Sequence, residues 1–545
     1  MTTFYIQQFG CRATQADGAA LERQLLDRGC TQSPDPATAA IVVLNTCTVT
    51  AAADAQARDA IRKIRAQNPA ARLIVTGCYA QRAPEELASL PGVSWVVGNS
   101  HKPHIPNLVT QIASAAFAFV SEKGIVIPSE ATEGSGLVGR NPFFPTASPD
   151  TYSHSVGAGL APSSAPQLAE ILQLGAPSEP AQILTGDIFA HPEFLSAPIQ
   201  GGESHHTRPI LKIQDGCNNR CSFCVIPYVR GKSRSLPPDQ VIREIQFLVG
   251  QAPLPVSVFS SASCTSSISS ISSISSTFPC HSAREIVLSG INLGTYGRDL
   301  SPRVEFIDLL RRILDETPVE RLRISSIEPQ DVTQDLIDLF ASTDRIAQHF
   351  HMPLQSASDR VLAAMHRWYR SEHYARRVDL IRDHLPNAAL GADVIAGFPG
   401  ETESDHATTL AFIDSHPFTY LHVFSYSPRP GTKAASMPDQ VPAQVIKRRA
   451  RELRALAESK STAFRKSQIN RTARVLTLHR DEHSLNEQTR AAYTPALSSN
   501  YLRVQVPGIH PSNQWQDVLI TAEEGNHLLG EPASSCSELS VPSVL

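Results

Sequence analysis

Asp215-Gly216-Cys217-Asn218-Asn219-Arg220-Cys221-Ser222-Phe223-Cys224-Val225-Ile226-Pro227 places three cysteines at C-x3-C-x2-C spacing. It follows the apolar alternating run Ile210-Leu211-Lys212-Ile213. The pattern predicts a strand that delivers a loop, and a loop that presents three thiols to one point. Three soft thiolates suit an iron–sulfur cluster, and a cluster held by three cysteines leaves one iron open to an outside ligand. Zinc is the competing reading. Structural zinc wants four closed ligands, usually as paired cysteines, and no second pair follows nearby.

Outward from this loop, a βα pattern runs from Ile210 to Tyr426. Strands are expected at Ile210–Ile213, Glu285–Ser289, Arg321–Ser325, Gln348–Met352, Ala389–Ile395 and Tyr420–Phe424. Helical stretches such as Phe306–Leu314 and Tyr374–His384 separate them. Six such units predict a partial (β/α)6 barrel with its active site at the carboxyl ends of the strands. The cysteine loop lies on that face, as do Gly290, Asn292, Ser326, Gln355 and the stretch Gly397–Glu401. Two bland roles compete there: Gln355 as a cap for the next helix, and Asp393, near a strand end, as a partner for backbone donors.

Towards the amino terminus, strands at Thr3–Phe9, Ile41–Leu44, Leu73–Val75 and Ser94–Val97 alternate with helices, which predicts an open parallel α/β domain over 1–112. Cys11, Cys47 and Cys78 each sit just past the carboxyl end of a strand. Those ends share one sheet edge, where ligands bind, so the three cysteines can converge as a second cluster site. Burial as small apolar residues is the alternative for them, and packing is the expectation for Cys30.

The rest is less regular. Residues 113–206 are rich in Pro, Ser, Ala and Gly, with one possible helix at Pro166–Leu174, and read as a low-complexity insertion or linker. A Ser-rich insertion, 251–283, interrupts the barrel domain (207–445); Cys264 and Cys280 within it are left out of the ligand set. Gln444–Ala473 reads as a basic helix, and strands at Ala473–Leu478, Ser499–Val506 and Trp515–Thr521 predict a small β-barrel, so that 446–530 form one more domain before a tail of 531–545. The chain has 545 residues, ten cysteines and a net charge of −4. No global basic field advertises nucleic acid, so any RNA binding must use local patches. The start, Met1–Gly10, lacks a secretory pattern, and no run of about 18 apolar residues exists. A cytoplasmic protein without a membrane partner is expected, with its cysteines in metal or redox use.

The six cysteines, with Asn45–Thr50 (NTCTVT), Pro227–Ser235 and Arg323–Pro329 (RISSIEP), carry a resemblance. The chain resembles the radical S-adenosylmethionine (SAM) methylthiotransferase family, over nearly its whole length apart from the insertions. Within that family it looks like the branch acting on N6-threonylcarbamoyladenosine in tRNA. The resemblance implies an α/β protein with an amino-terminal open parallel α/β domain, a central partial (β/α)6 radical SAM barrel and a carboxyl-terminal small β-barrel (TRAM).

It also implies two [4Fe-4S] clusters. Cys217, Cys221 and Cys224 would hold the one that chelates SAM and generates a 5′-deoxyadenosyl radical; Cys11, Cys47 and Cys78 would hold an auxiliary one that carries the sulfur. Two SAM molecules are used, and a methylthio group is installed at carbon 2 of the adenine at position 37. By matching position, Phe223 packs at the SAM adenine, Gly290 and Asn292 bind its methionine moiety, and Ser326, Gln355 and Asp393 contact ribose or methionine. Partners implied are the tRNA anticodon loop, an electron donor such as flavodoxin or ferredoxin, and a sulfur source. Positive potential for RNA is expected from Lys447–Lys466, Arg230, Lys232, Arg234 and the β-barrel. Thr14 stands where the family usually has Asn. The alternatives are the same chemistry on isopentenyladenosine in tRNA or on a ribosomal-protein aspartate, and a non-catalytic metal-cluster RNA-binding protein.

Overall fold

A computed structural model describes residues 2–112, 181–190, 195, 207–250, 283–479 and 492–533. The helix expected at Pro166–Leu174, most of both insertions with Cys264 and Cys280, and the tail with Cys536 lie outside the described residues. Two compact units result. The first is Met1–Leu195 with Phe223–Gly231 and Pro428–Ala435; the second is Ser196–Ser222, Lys232–Ser427 and Ser436–Leu545.

The first unit is built on a six-stranded parallel sheet of β1 (Thr3–Gln8), β2 (Thr31–Gln32), β3 (Ile41–Thr46), β4 (Arg72–Gly77), β5 (Val93–Gly98) and β6 (Gln182–Leu184), in the order β2-β1-β3-β4-β5-β6. Every residue of β3 is buried, as expected of a central strand covered on both faces. The helix Ala51–Gln67 buries Ala57, Ile61 and Ile64, one stripe at helical spacing. Its N-cap is Thr50, whose hydroxyl accepts from the Ala53 amide at 3.2 Å. The helix Arg12–Asp27 ends just before Gly29, which takes φ +77°. One expectation is corrected: Gln182–Leu184 falls within the presumed linker, yet it pairs in parallel with β5. A three-residue edge strand has too few positions to show a period.

The second unit contains the six barrel strands close to their expected positions: β7 (Ile210–Lys212), then, after the short pair β8 (Gln214–Asp215) and β9 (Arg234–Ser235), β10 (Glu285–Ser289), β11 (Arg321–Ile324), β12 (His349–His351), β13 (Ala389–Ala396) and β14 (Tyr420–Ser425). They form two three-stranded parallel sheets, β11-β10-β7 and β12-β13-β14. A parallel bridge between Leu322 and Ile346 spans the seam.

The carboxyl-terminal strands β15 (Thr472–Thr477), β16 (Tyr493–Ser498), β17 (Arg503–Pro507), β18 (Trp515–Glu524) and β19 (His527–Pro532) close into a barrel. Three expectations change here. Ser499–Val506 is not one strand, because the chain turns through Tyr501 at φ +66° between β16 and β17. The basic helix spans Ala443–Lys466 and stops before β15. The domain also runs past residue 530, since β19 continues to Pro532.

This barrel docks at the amino-terminal ends of the radical-barrel strands. Arg323 donates to the carbonyls of Ser498 and Ser499, both at 3.0 Å, and Arg321 to that of Arg474 at 3.1 Å. The Arg321 guanidinium lies 4.2 Å from the Trp515 ring centroid. Both arginines pair with Glu285, the first residue of β10, and so does Arg208. Burial alone would raise the Glu285 pKa, but Arg323, Arg208 and Arg321 hold it down to about 2. Because that value lies below the unfolded carboxylate value, its stabilisation is present above pH ~4.3 and is lost as pH falls towards about 2, on the order of 3 kcal/mol in all. Glu285→Gln is therefore expected to destabilise the protein by roughly 3–5 kcal/mol at neutral pH and to flatten its acid sensitivity. Urea unfolding across the acid range checks both effects.

Candidate functional site

In the first unit, Cys11 caps the helix Arg12–Asp27, Cys47 follows β3, and Cys78 opens the short helix Cys78–Arg82 after β4. Because β1, β3 and β4 are neighbours in the sheet, the three thiols meet at its carboxyl edge. Burial pushes the Cys47 thiol up to about 12, and the nearby Cys78 and Cys11 thiols add to that shift. Gly10, at φ +98°, is required where it stands: a Cβ there would lie 2.8 Å from Cys47 Sγ.

Buried charges surround these thiols. Lys102 Nζ donates to Asp17 Oδ2 at 3.0 Å and to Asn45 Oδ1 at 3.2 Å. Arg230 donates to Asp17 Oδ2 at 3.1 Å and to Thr14 Oγ1 at 3.2 Å. Thr14 Oγ1 is also 3.6 Å from Cys11 Sγ, so the residue that departs from the family pattern sits against a candidate ligand. Burial lowers the Lys102 pKa. Two cations facing one carboxylate leave an excess positive charge beside three thiols, a donor set and a field that suit an anionic thiolate-bound cluster. Arg230 was expected on an RNA surface; its side chain is 2% exposed and committed to this pocket.

Two segments remote in sequence complete the first unit's site. Val225 and Val229 pack on Cys78, and Asn99 Nδ2 donates to the Val229 carbonyl at 2.7 Å. Arg429 reaches Asp54 at 2.6 Å, and Asp54 also accepts from Arg82 at 3.0 Å and from the Thr48 hydroxyl at 2.6 Å. This clamp fixes the loop after Cys47. Lys102, Asp54 and Arg429 carry no local motif, and only their burial in the fold reveals them.

In the second unit, Gln214 organises the start of the cysteine loop. Its Nε2 donates to the carbonyls of Asp215 and Gly216, at 3.0 and 2.8 Å, and its Oε1 accepts from the amides of Ile291 and Asn292, each at 2.8 Å. Gly290 leaves room for this: a Cβ there would meet Gln214 Oε1 at 3.0 Å. Burial raises the Cys217 pKa. The Asn292 side chain is close enough to Cys217 to favour its thiolate, although its own amide atoms are buried without a well-formed hydrogen bond. An orphaned buried amide beside Cys217 fits a bound polar ligand. Cys221 Sγ accepts from Arg367 at 3.4 Å, and Arg367 pairs with Glu328. Ser222 ties the loop to the carbonyls of Ala364, at 2.8 Å, and Met365, at 3.1 Å.

The remaining candidates are placed as follows. Phe223 is half-buried and belongs to the first unit, as does Cys224. Ser326 Oγ lies 2.8 Å from His351 Nδ1. Gln355, at φ +62°, joins β13 through its backbone and does not cap the next helix, a role Ser358 fills. Asp393 lies inside β13 rather than at its end, with Oδ1 3.1 Å from His351 Nε2. The ligand atoms of His351, Asp393 and His422 lie within 4.8 Å of one another, a donor set missed in the sequence because its members sit on three separate strands.

The basic helix Ala443–Lys466 is less of a free cationic face than its composition suggests. Arg449 and Arg465 are buried in ion pairs with Glu401 and Glu523, and Arg448 pairs with Glu403.

Residues 3–98 match the model of the Uncharacterized protein family UPF0004, and residues 211–413 that of the Radical SAM superfamily. The chain is 30% identical over 511 residues to the threonylcarbamoyladenosine tRNA methylthiotransferase MtaB of Bacillus subtilis, covering 93% of this chain and 91% of that protein. The chain belongs to the radical SAM methylthiotransferase family. This methylthiotransferase is also 31% identical over 456 residues to a tRNA-2-methylthio-N(6)-dimethylallyladenosine synthase of Syntrophobacter fumaroxidans, covering 83% and 79% of the two chains. Among solved structures, the radical SAM methyltransferase TsrM of Kitasatospora setae aligns at a TM-score of 0.48 and 15% identity, over 80% and 77% of the chains.

The cofactors of the methylthiotransferase are SAM and [4Fe-4S] clusters. Both cysteine sites fit them: one through its excess positive charge, the other through the orphaned Asn292 amide. Because Asp17 is the shared carboxylate partner of Lys102 and Arg230, Asp17→Asn should destabilise the first unit by roughly 3–5 kcal/mol. A drop in its thermal midpoint and weaker iron retention are the expected readouts.

Proposed function

We propose that this methylthiotransferase installs a methylthio group at carbon 2 of N6-threonylcarbamoyladenosine, at position 37 of tRNA. Convergence of Cys11, Cys47 and Cys78 at one sheet edge, with Cys78 packed against Val225 next to Cys224, carries the reading. It supports a cluster at the amino-terminal cysteine set in addition to the one at the C-x3-C-x2-C loop. The full-length likeness to MtaB proteins supports the substrate.

In this reading Cys217, Cys221 and Cys224 hold the cluster that engages SAM, and Cys11, Cys47 and Cys78 hold the auxiliary cluster. Bound there, these groups supply one-electron chemistry and the sulfur that is transferred. The protein's residues do the positioning. Gln214 fixes the loop entry, Arg367 donates to Cys221, and Arg230 with Lys102 offsets anionic charge at the other set. Asn292, Gly290 and Phe223 contact SAM, as do Ser326, Gln355 and Asp393. We assign 1–112 with β6 to the auxiliary-cluster domain, 207–445 to the radical domain and 446–532 to the helix and TRAM barrel. An electron donor such as flavodoxin or ferredoxin and a separate sulfur source serve it in the cytoplasm.

The 31% identity to a dimethylallyladenosine synthase favours a second reading, the same chemistry on isopentenyladenosine. Mass spectrometry of tRNA nucleosides from a strain lacking the gene separates them. Loss of the methylthiolated threonylcarbamoyl nucleoside, restored by the wild-type chain, is the expected result. Loss of the methylthiolated isopentenyl nucleoside instead would transfer the assignment to the second substrate.

A further inference from the structure

Trp368 is 77% exposed, the most exposed large apolar side chain among the described residues. It stands on the rim that carries the radical loop, in a segment held on both sides. Arg367, before it, is buried, pairs with Glu328 and donates to Cys221 Sγ at 3.4 Å. Tyr369, after it, is buried, and its hydroxyl lies 2.8 and 2.9 Å from the carbonyls of Pro353 and Leu354. His366, at φ +58°, closes the helix Asp359–Ala364, and its Nδ1 lies 3.2 Å from the Arg220 carbonyl. The indole is thus presented outward from a fixed backbone, between two anchored side chains.

Two arginines of the same rim are exposed: Arg220, inside the cysteine loop, and Arg370, two residues beyond the indole. Glu328 is already committed to Arg367, and Asp359 to the Ser371 amide. Arg370 Nη1 donates to the carbonyls of Arg367 and Tyr369, at 3.0 and 2.8 Å, which holds its guanidinium against the segment that carries the indole. An exposed aromatic on a segment that also carries exposed arginines matches how proteins take up unpaired nucleotides, with bases stacking on the ring and phosphates meeting the cations.

We propose that Trp368 is the stacking platform for an unpaired nucleobase next to the reacting one, with Arg220 and Arg370 facing the adjoining phosphates. The inference rests on the tRNA reading above and adds a residue that sets how the anticodon loop approaches the radical site.

Binding of a fluorescently labelled anticodon stem-loop RNA to the cluster-loaded protein tests it. Trp368→Ala should raise the Kd by about five- to a hundred-fold, while Trp368→Phe should stay close to wild type. In the same RNA, 2-aminopurine beside the reacting base should be quenched by wild type and Trp368→Phe, but not by Trp368→Ala. Equal iron content across the three proteins establishes that the radical loop is intact. A Trp368→Ala protein that binds within about twofold of wild type and still quenches the probe overturns the proposal. Failure of wild type itself to bind the RNA would remove the tRNA reading, and this inference with it.

Discussion

A single buried carboxylate, Asp17, accepts ion pairs from Lys102 and Arg230, and the amino-terminal cysteine site depends on it. Buried pairs of this kind seldom add net stability, because desolvation consumes most of the Coulombic gain. Positioning and charge are what this one supplies. Arg230 ends the five-residue helix Ile226–Arg230 that follows Cys224, and Val225 and Val229 on the same helix pack on Cys78. Anchoring the arginine therefore anchors the exit of the radical loop to the sheet edge. The charge of Arg230 also lies close enough to Cys47 to oppose, weakly, the burial that disfavours its thiolate.

Docking of the small β-barrel obeys a similar logic. Glu285 is fully buried and tolerable only because three arginines surround it, two of which reach across to the barrel. This places the barrel at the amino ends of the radical strands, whereas the cysteine loop follows their carboxyl ends. The helix Ala443–Lys466 runs between the two ends, with Arg449 paired to Glu401 after β13 and Arg465 paired to Glu523 of β18. At 1.5 Å per residue its 24 residues span about 36 Å.

Much of this was legible in the sequence. Buried apolar runs such as Ile41–Leu44 and Ala389–Ile395 announced parallel strands, and glycines after strands marked their carboxyl ends. The positions of the cysteines just past strand ends could be read because spacing and strand ends are local properties. Pairings between distant segments were not. Arg230 and Arg449 look like surface cations in a basic run, and only tertiary burial turns them into ion-pair partners. The strand at Gln182–Leu184 was missed because its partner, β5, lies more than eighty residues earlier. Tyr501 hid a turn inside what read as one strand, because a non-glycine residue at positive φ leaves no mark in composition.

In the proposed function the two cysteine sets hold separate clusters with separate tasks. Iron analysis of anaerobically reconstituted Cys217→Ala and Cys47→Ala proteins, paired with detection of 5′-deoxyadenosine under reductant, tests it most directly. Each variant should retain about four of about eight irons. Cys47→Ala should still cleave SAM and fail to insert sulfur, and Cys217→Ala should lose SAM cleavage altogether. Loss of the same partial activity in both variants, or loss of all iron from either, would contradict the division.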